Sequence, residues 1–267
     1  MRPVAIPREG LATVDVLVRR QVRSPGAVVF AYHDVGSDPD RSTRYSVSSK
    51  RLHSHVSAAL GWGVRFVPLS ELVDRLSTDG NITGLAALTF DDALVGVHAN
   101  AAAVLAELGV PATVFVVSGC LGRIPPWWPG SAPVMTAGQL HELVALGWEI
   151  GSHTRTHPSL NGLSPLPLED ELVRSRLELA DLAQRPVDLF AYPYGHHTPS
   201  VRAAVASSGY RAAFGFRNGR VTASLDRYRL PRLTMHARLT RLHLAHQLAR
   251  QPDDWPNTQL GIIAAGV

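Results

Sequence analysis

Short apolar runs alternate with longer stretches of mixed polarity through most of this chain. Residues 27–32, 64–67, 85–90, 112–117, 148–150, 188–192 and 212–216 are brief runs of β-branched, aromatic or small apolar residues, and the pattern predicts a buried strand at each. The segments between them, 52–62, 69–76, 99–108, 136–146, 168–183 and 200–208, carry apolar residues at helical spacing. Punctuation agrees with this division: Gly109 and Pro111 stop the third helix, and Thr136 stands where a cap would open the fourth. About seven strand–helix repeats with no low-complexity linker predict a mostly parallel sheet. We therefore expect a single α/β domain, a distorted (β/α)7-type barrel over 27–237, preceded by an extension over 1–26. A terminal helix and tail over 238–267 follow, with Leu239, Leu242 and Leu248 facing inward. Polar clusters fall just after the strands, at the mouth where such barrels keep their chemistry.

Composition narrows the class. With 45% hydrophobic and 18% charged residues the chain has the makings of a packed core and not of a disordered segment. The net charge is +4, and Lys50 is the one lysine among 26 basic residues. Those residues are scattered, with no aromatic-interleaved basic stripe, which argues against a nucleic-acid partner. Cys120 is the single cysteine, so neither an internal disulfide nor a cysteine-based zinc site can form. Charges at Arg2, Arg8, Glu9, Asp15, Arg19 and Arg20 interrupt the apolar residues of the N-terminal segment, leaving no core of the kind a secretory leader needs. No stretch approaches the roughly 18 apolar residues of a membrane span. The expectation is a cytoplasmic protein with no membrane segment.

Three segments carry chemistry. Thr89-Phe90-Asp91-Asp92 ends a strand, so one carboxylate is placed to hold a metal and the other to act as a base; alone, the pair also fits a solvated turn. His153 and His157 follow another strand, and an i, i+4 spacing would bring both to one side of a helical turn. A lone His-x-x-x-His is more often not a metal site, but beside the Asp pair it supplies two nitrogens and one oxygen, the open three-ligand set of a catalytic ion. Phe190-Ala191-Tyr192-Pro193-Tyr194-Gly195 reads either as a strand ending in a Pro-Gly turn or as a loop aiming the Tyr194 backbone N–H at a developing oxyanion.

Taken together and in this order, Thr89–Asp92, His153–His157 followed by Pro158 and Leu160, and Tyr192–Gly195 resemble the motifs of the polysaccharide deacetylases, the NodB-homology family of carbohydrate esterases. Residues 108–113 and 149–153 extend the likeness over roughly 27–236. The resemblance implies that Asp91 is the general base and that Asp92, His153 and His157 bind a cation: zinc first, with cobalt, nickel or iron(II) also suited to two nitrogens and an oxygen. Three departures stand out. Ala93 takes the place of the usual glycine, Ala191 that of the usual arginine, and no tryptophan-bearing D-x-x-D-W segment is recognisable between Gly195 and Leu230. Arg232 becomes the candidate to orient the base and is counted among the candidate substrate-binding residues.

Two histidines compete for the general acid. His236 ends Leu233-Thr234-Met235-His236 in the expected chain order, whereas His33 ends an early strand, as in the circularly permuted branch of the family. We favour His33. Trp127, with Trp128 beside it between prolines, together with Tyr192, Pro193 and Tyr194, is the candidate substrate surface, and His196 and His197 fall at the rim. The resemblance implies a metal-dependent N-deacetylase acting on an N-acetylated sugar, oligosaccharide or small acetylated substrate. A metal-dependent amide hydrolase on a non-glycan molecule and a non-catalytic carbohydrate-binding relative remain the alternatives, and no G-x-S-x-G elbow points to serine chemistry.

Overall fold

A computed structural model describes residues 16–249 other than 17, 21, 23, 37–44 and 79. Of the expected extension, residues 1–15 lie outside the described residues, as do 250–267 of the expected tail. The strands are β1 (Val28–Tyr32), β2 (Asp34–Gly36), β3 (Ser46–Ser48), β4 (Arg65–Phe66), β5 (Leu85–Phe90), β6 (Thr113–Val116), β7 (Glu149–Ser152), β8 (Leu189–Ala191), β9 (Ala212–Phe214) and β10 (Leu233–Thr234). The principal helices are α1 (Ser49–Gly61), α2 (Leu69–Ser77), α3 (Ala102–Leu108), α4 (Ala137–Ala145), α5 (Ser175–Ala183), α6 (Pro199–Ser207) and α7 (Arg241–Ala249), and a short helical turn at Pro165–Glu169 leads toward α5.

The main sheet runs in the order β10-β1-β5-β6-β7-β8-β9, with β4 paired to the start of β5, and every pairing is parallel. Parallel strands are covered on both faces, which is why all six residues of β5 and all five of β1 are buried. Successive side chains alternate between two layers. Val28, Phe30 and Tyr32, Ala86, Leu88 and Phe90, and Val114 and Val116 pack outward against the helices. Val29, Ala87, Phe115, Leu189, Ala191 and Phe214 point into the curl of the sheet. Gly151 belongs to this inner layer by exclusion, since a Cβ there would lie 2.4 Å from the Phe115 ring. The segment following β9 bridges it at Leu230 and then pairs with β1 as β10, so one short run of chain draws the two edges toward each other. The result is a half-barrel, the distorted (β/α) barrel that the alternation predicts.

Helix α4 opens on a full capping box between Thr136 and Gln139, as the sequence suggests. Two helices contain π-helical turns, at Val97–Ala101 before α3 and at Asp170–Arg174 before α5. The small parallel pair β2–β3 falls outside the predicted elements. One packing expectation is corrected: Leu242 is 45% exposed, and α7 instead buries Leu244, Ala245 and Leu248, with Leu239 buried just before it. The helix starts later than the sequence pattern placed it, which rotates the apolar stripe. No helix among the described residues is long and apolar enough to cross a membrane.

Candidate active site

Three site residues continue the inward series of their strands by simple alternation. Positions 29, 31 and 33 lie on one side of β1, 87, 89 and 91 on one side of β5, and 151 and 153 on one side of β7. All three strands are parallel, so His33, Asp91 and His153 emerge at the same mouth, and the Asp91 N–H donates to the Tyr32 carbonyl at 2.9 Å to set β1 and β5 level.

Asp92 and His157 do not follow that alternation and reach the site through unusual backbone. Asp92 (φ 66°), Ala93 (φ 53°), Thr154 (φ 69°), His157 (φ 64°) and Tyr194 (φ 58°) all adopt left-handed conformations. For residues with a Cβ this costs free energy, on the order of 1 kcal/mol or more each, and such outliers cluster at functional sites. The expected helical turn across His153–His157 is therefore not found; the segment is a loop. It is tied by the His157 N–H to Thr154 Oγ1 at 2.9 Å and by the Ser118 and Gly119 N–H groups to the Thr154 and Arg155 carbonyls.

The loop nevertheless converges on the carboxylate. Asp92 Oδ1 lies 3.3 Å from His157 Nε2 and 3.8 Å from His153 Nε2, and one ligand atom from each residue falls within 4.8 Å of the other two. A tetrahedral ion bound at about 2.0–2.1 Å separates its donors by roughly 3.4 Å, so the spacing suits one cation. The donor chemistry fits as well. His153 Nδ1–H donates to the Ala191 carbonyl at 2.7 Å, which leaves the Nε2 lone pair facing Asp92. Burial lowers both imidazoles below their ordinary range, and in His157 the His153 field adds to it, so both are neutral donors. Burial pushes the Asp92 carboxyl up to about 7, and the adjacent Asp91 charge pushes the same way. The Trp127 N–H and the Arg232 charge oppose this only in part, and a cation would displace the proton readily.

Asp91 is in the opposite state. Burial raises its carboxyl, but the charge of Arg232 and a bidentate pair more than offset this and bring it down to about 2. Arg232 Nη1 and Nη2 each donate at 2.7 Å to one Asp91 oxygen, with both side chains fully buried. The guanidinium also donates to the Gly215 carbonyl and Thr89 Oγ1 and lies under the Phe216 ring at 4.8 Å. Arg232 thus meets Asp91, the carboxylate it was expected to orient, and its complete burial takes it off the expected substrate surface.

His33 is 8% exposed and stacks on Phe216 (5.4 Å, 12°), with Tyr45 and Trp128 also against it. Burial lowers its imidazole to about 4, partly opposed by the Asp91 charge. The field of His33 reaches Asp91 and His157, whereas His236 acts on His55. Tyr194 sits in the turn after β8 with its ring edge-on to His157 at 4.8 Å. Tyr192 and Pro193, expected beside substrate, are buried, and the Tyr192 hydroxyl donates to the Tyr228 carbonyl in the outer layer. His196 contacts Tyr194 and Ser159, and His197 packs on Tyr192 beside Arg202, both part-exposed around the third motif. Trp127 stands not on an open face but against His157 and Asp92.

Sequence patterning gave no cue to three residues. Glu171 Oε2 accepts the Arg155 and Thr156 N–H groups at 2.8 Å each, holding the His153–His157 loop from the π-helical turn. Phe216 and Tyr45 flank His33. A buried Glu within a helix is a signal only once the loop above it is known.

Comparison with known proteins gives a consistent neighbourhood. The family model described as polysaccharide deacetylase matches residues 80–213. YxkH of Bacillus subtilis (strain 168) is 24% identical over 206 residues, covering 77% of this chain and 70% of YxkH. The poly-beta-1,6-N-acetyl-D-glucosamine N-deacetylase of Staphylococcus aureus (strain MRSA252) is 24% identical over 198 residues, or 71% of this chain and 67% of the relative. In fold, the chain resembles the Streptococcus pyogenes deacetylase PplD solved in complex with acetate, with a TM-score of 0.74 at 20% identity over 84% of this chain and 99% of PplD.

Proposed function

Because this chain belongs to the polysaccharide deacetylase family, we propose that it is a metal-dependent N-deacetylase that releases acetate from an N-acetylated sugar or glycan. The observation that carries this reading is the buried triad of Asp92, His153 and His157, with their donor atoms within 4.8 Å and Asp91 adjoining. A divalent cation held there would supply Lewis-acid activation of water and of the acetyl carbonyl.

The remaining work falls to the chain's own groups. Asp91 takes the proton of the attacking water; both its oxygens already accept from Arg232, and each keeps a second lone pair for that task. The Tyr194 backbone N–H donates to the tetrahedral oxyanion, a contact of a kind that contributes about 3–4 kcal/mol in other hydrolases. His33 returns a proton to the leaving amine. Its imidazole is neutral at rest near pH 7, so the proton it hands on is the one that Asp91 has taken from the water, passed to it as negative charge builds beside it. The position of His33 beside Asp91 in the inner layer supports it over His236 for this role. Zinc suits the two-nitrogen, one-oxygen set, and cobalt, nickel or iron(II) would serve in the same place.

The relatives' names make N-acetylglucosamine polymers the first substrates to try. Acetate release should be measured across poly-β-1,6-N-acetylglucosamine, chitin-type oligomers, peptidoglycan fragments, small N-acetyl sugars and non-sugar acetamides. Turnover on at least one sugar class, abolished by chelation, is the expected result. Turnover on the non-sugar amides alone would remove the glycan from the proposal, and no turnover on any would favour a non-catalytic relative.

A further inference from the structure

Resting on that reading of the site, we propose that Trp127 is a positioning residue for the cation ligands and not a platform for sugar. Its indole lies flat on the His157 imidazole, with ring centroids 4.3 Å apart and planes 15° from parallel. Its Nε1–H donates to Asp92 Oδ1 at 3.0 Å. That oxygen is the same atom that approaches both histidine Nε2 atoms. One side chain therefore fixes two of the three ligands. The stack sets the plane of an imidazole whose Nδ1 has no hydrogen-bond partner in another residue among the described residues to orient it. The N–H occupies one lone-pair direction of the ligand oxygen, leaving another for the ion. The imidazole takes one face of the indole, and the edge N–H is taken by Asp92.

The loop that carries Trp127 is anchored for such a task. The Met135 N–H donates to the Ala93 carbonyl at 2.8 Å, and the Val95 N–H to the Pro133 carbonyl at 2.9 Å, tying the far end of the loop to the turn holding Asp92. The Val134 N–H donates to the Arg123 carbonyl at 2.9 Å and closes the loop at its base. Trp128, next in the chain, sets its edge on His33 from the other side of the mouth. Among the described residues, no other residue's carboxylate or carbonyl accepts from the second nitrogen of His157, the support that metal-binding histidines usually have. Trp127 supplies that support from the ring face instead.

The test is cation binding, read without turnover. Equilibrium dialysis with Zn2+ and with Co2+ would be run on the full chain, on Trp127→Phe, which keeps a ring over His157 and deletes the N–H, and on Trp127→Leu, which deletes both. Loss of ligand support ordinarily costs ten- to a hundredfold in metal affinity. We expect a fall in that range for Trp127→Phe and a larger one for Trp127→Leu, with KM at saturating cation near the wild-type value. Thermal melts report whether each variant folds; should the Phe variant not fold, the Leu variant carries the same comparison. Wild-type cation affinity in the folded variants would overturn the proposal, and so would a raised KM at unchanged affinity, which would return Trp127 to the substrate. Failure of the wild-type chain to bind either ion would overturn the metal-dependent reading along with it, so the two failures are separable.

Discussion

Asp91 is buried yet ionised because Arg232 meets both of its oxygens with a charged, bidentate fork. Lysine cannot reproduce that geometry. In Arg232→Lys, burial acts on Asp91 with less to oppose it, so the base stays protonated to higher pH. The acid limb of the kcat/KM profile should move upward, with activity at neutral pH falling on the order of a hundredfold; an unmoved limb would mean that Asp91 is not the titrating base. Asp91→Asn should remove turnover while the cation remains bound, at a stability cost of about 3–5 kcal/mol from the unpaired buried guanidinium. Activity within an order of magnitude of wild type would dismiss Asp91 as the base. At this scale the sequence was informative about residue type and less so about direction. The Asp pair and the two histidines were legible from their motifs, and Arg232 from the gap at Ala191. That Tyr192 falls in the outer layer and Trp127 on the ligands depends on strand phase and loop path, which composition does not encode.

The His153–His157 loop is held by an element outside the motifs. Glu171 accepts from the Arg155 and Thr156 N–H groups and from the Thr156 hydroxyl, and it projects from a π-helical turn, a local widening frequent at functional sites. Glu171→Gln turns an amide NH2 toward these donors and unsatisfies part of the network. We expect cation affinity to drop about tenfold or more, measured by dialysis, with secondary structure unchanged by circular dichroism; unchanged affinity would show that the loop holds its shape without the carboxylate. Element positions were largely readable, since strand and helix periods are distinct and the breaks at Gly109, Pro111 and Thr136 are explicit. The helical turn expected across His153–His157 was not, because an i, i+4 spacing is satisfied equally by a loop with left-handed residues at Thr154 and His157. Three-residue strands such as β2 and β3 are too short for any period to show.

Across the whole molecule, buried histidines couple stability to acid. Burial lowers His33 and His55 from an ordinary 6.5 to about 4, and His55 is further held between the Tyr32 hydroxyl and the Leu239 carbonyl. The folded chain binds these protons less readily than the unfolded chain. Their contribution is therefore present above about pH 6.5 and lost as pH falls toward 4, up to roughly 3 kcal/mol for each group. Asp92, raised to about 7, opposes part of this loss. In Asp92→Asn the melting temperature should therefore decline across that window, and a flat profile in that variant would contradict the burial of these imidazoles. A divalent cation should raise the melting temperature at pH 7 through its preference for the folded site, and the gain should shrink below pH 6, where protons compete for Asp92 and the histidines. The parallel order of the sheet follows from the strand–helix alternation seen in the sequence. Its curl into a half-barrel depends on the run from Leu230 to Thr234 meeting both edges, a long-range pairing with no local mark.

The most direct measurement is anomalous diffraction at the zinc edge from crystals of the wild-type chain grown with Zn2+. The account predicts one strong peak at the barrel mouth, within about 2.0–2.2 Å of Asp92 Oδ1 and the two histidine Nε2 atoms, with the Asp91–Arg232 pair alongside. A peak elsewhere, or none with those three side chains still in place, would contradict it.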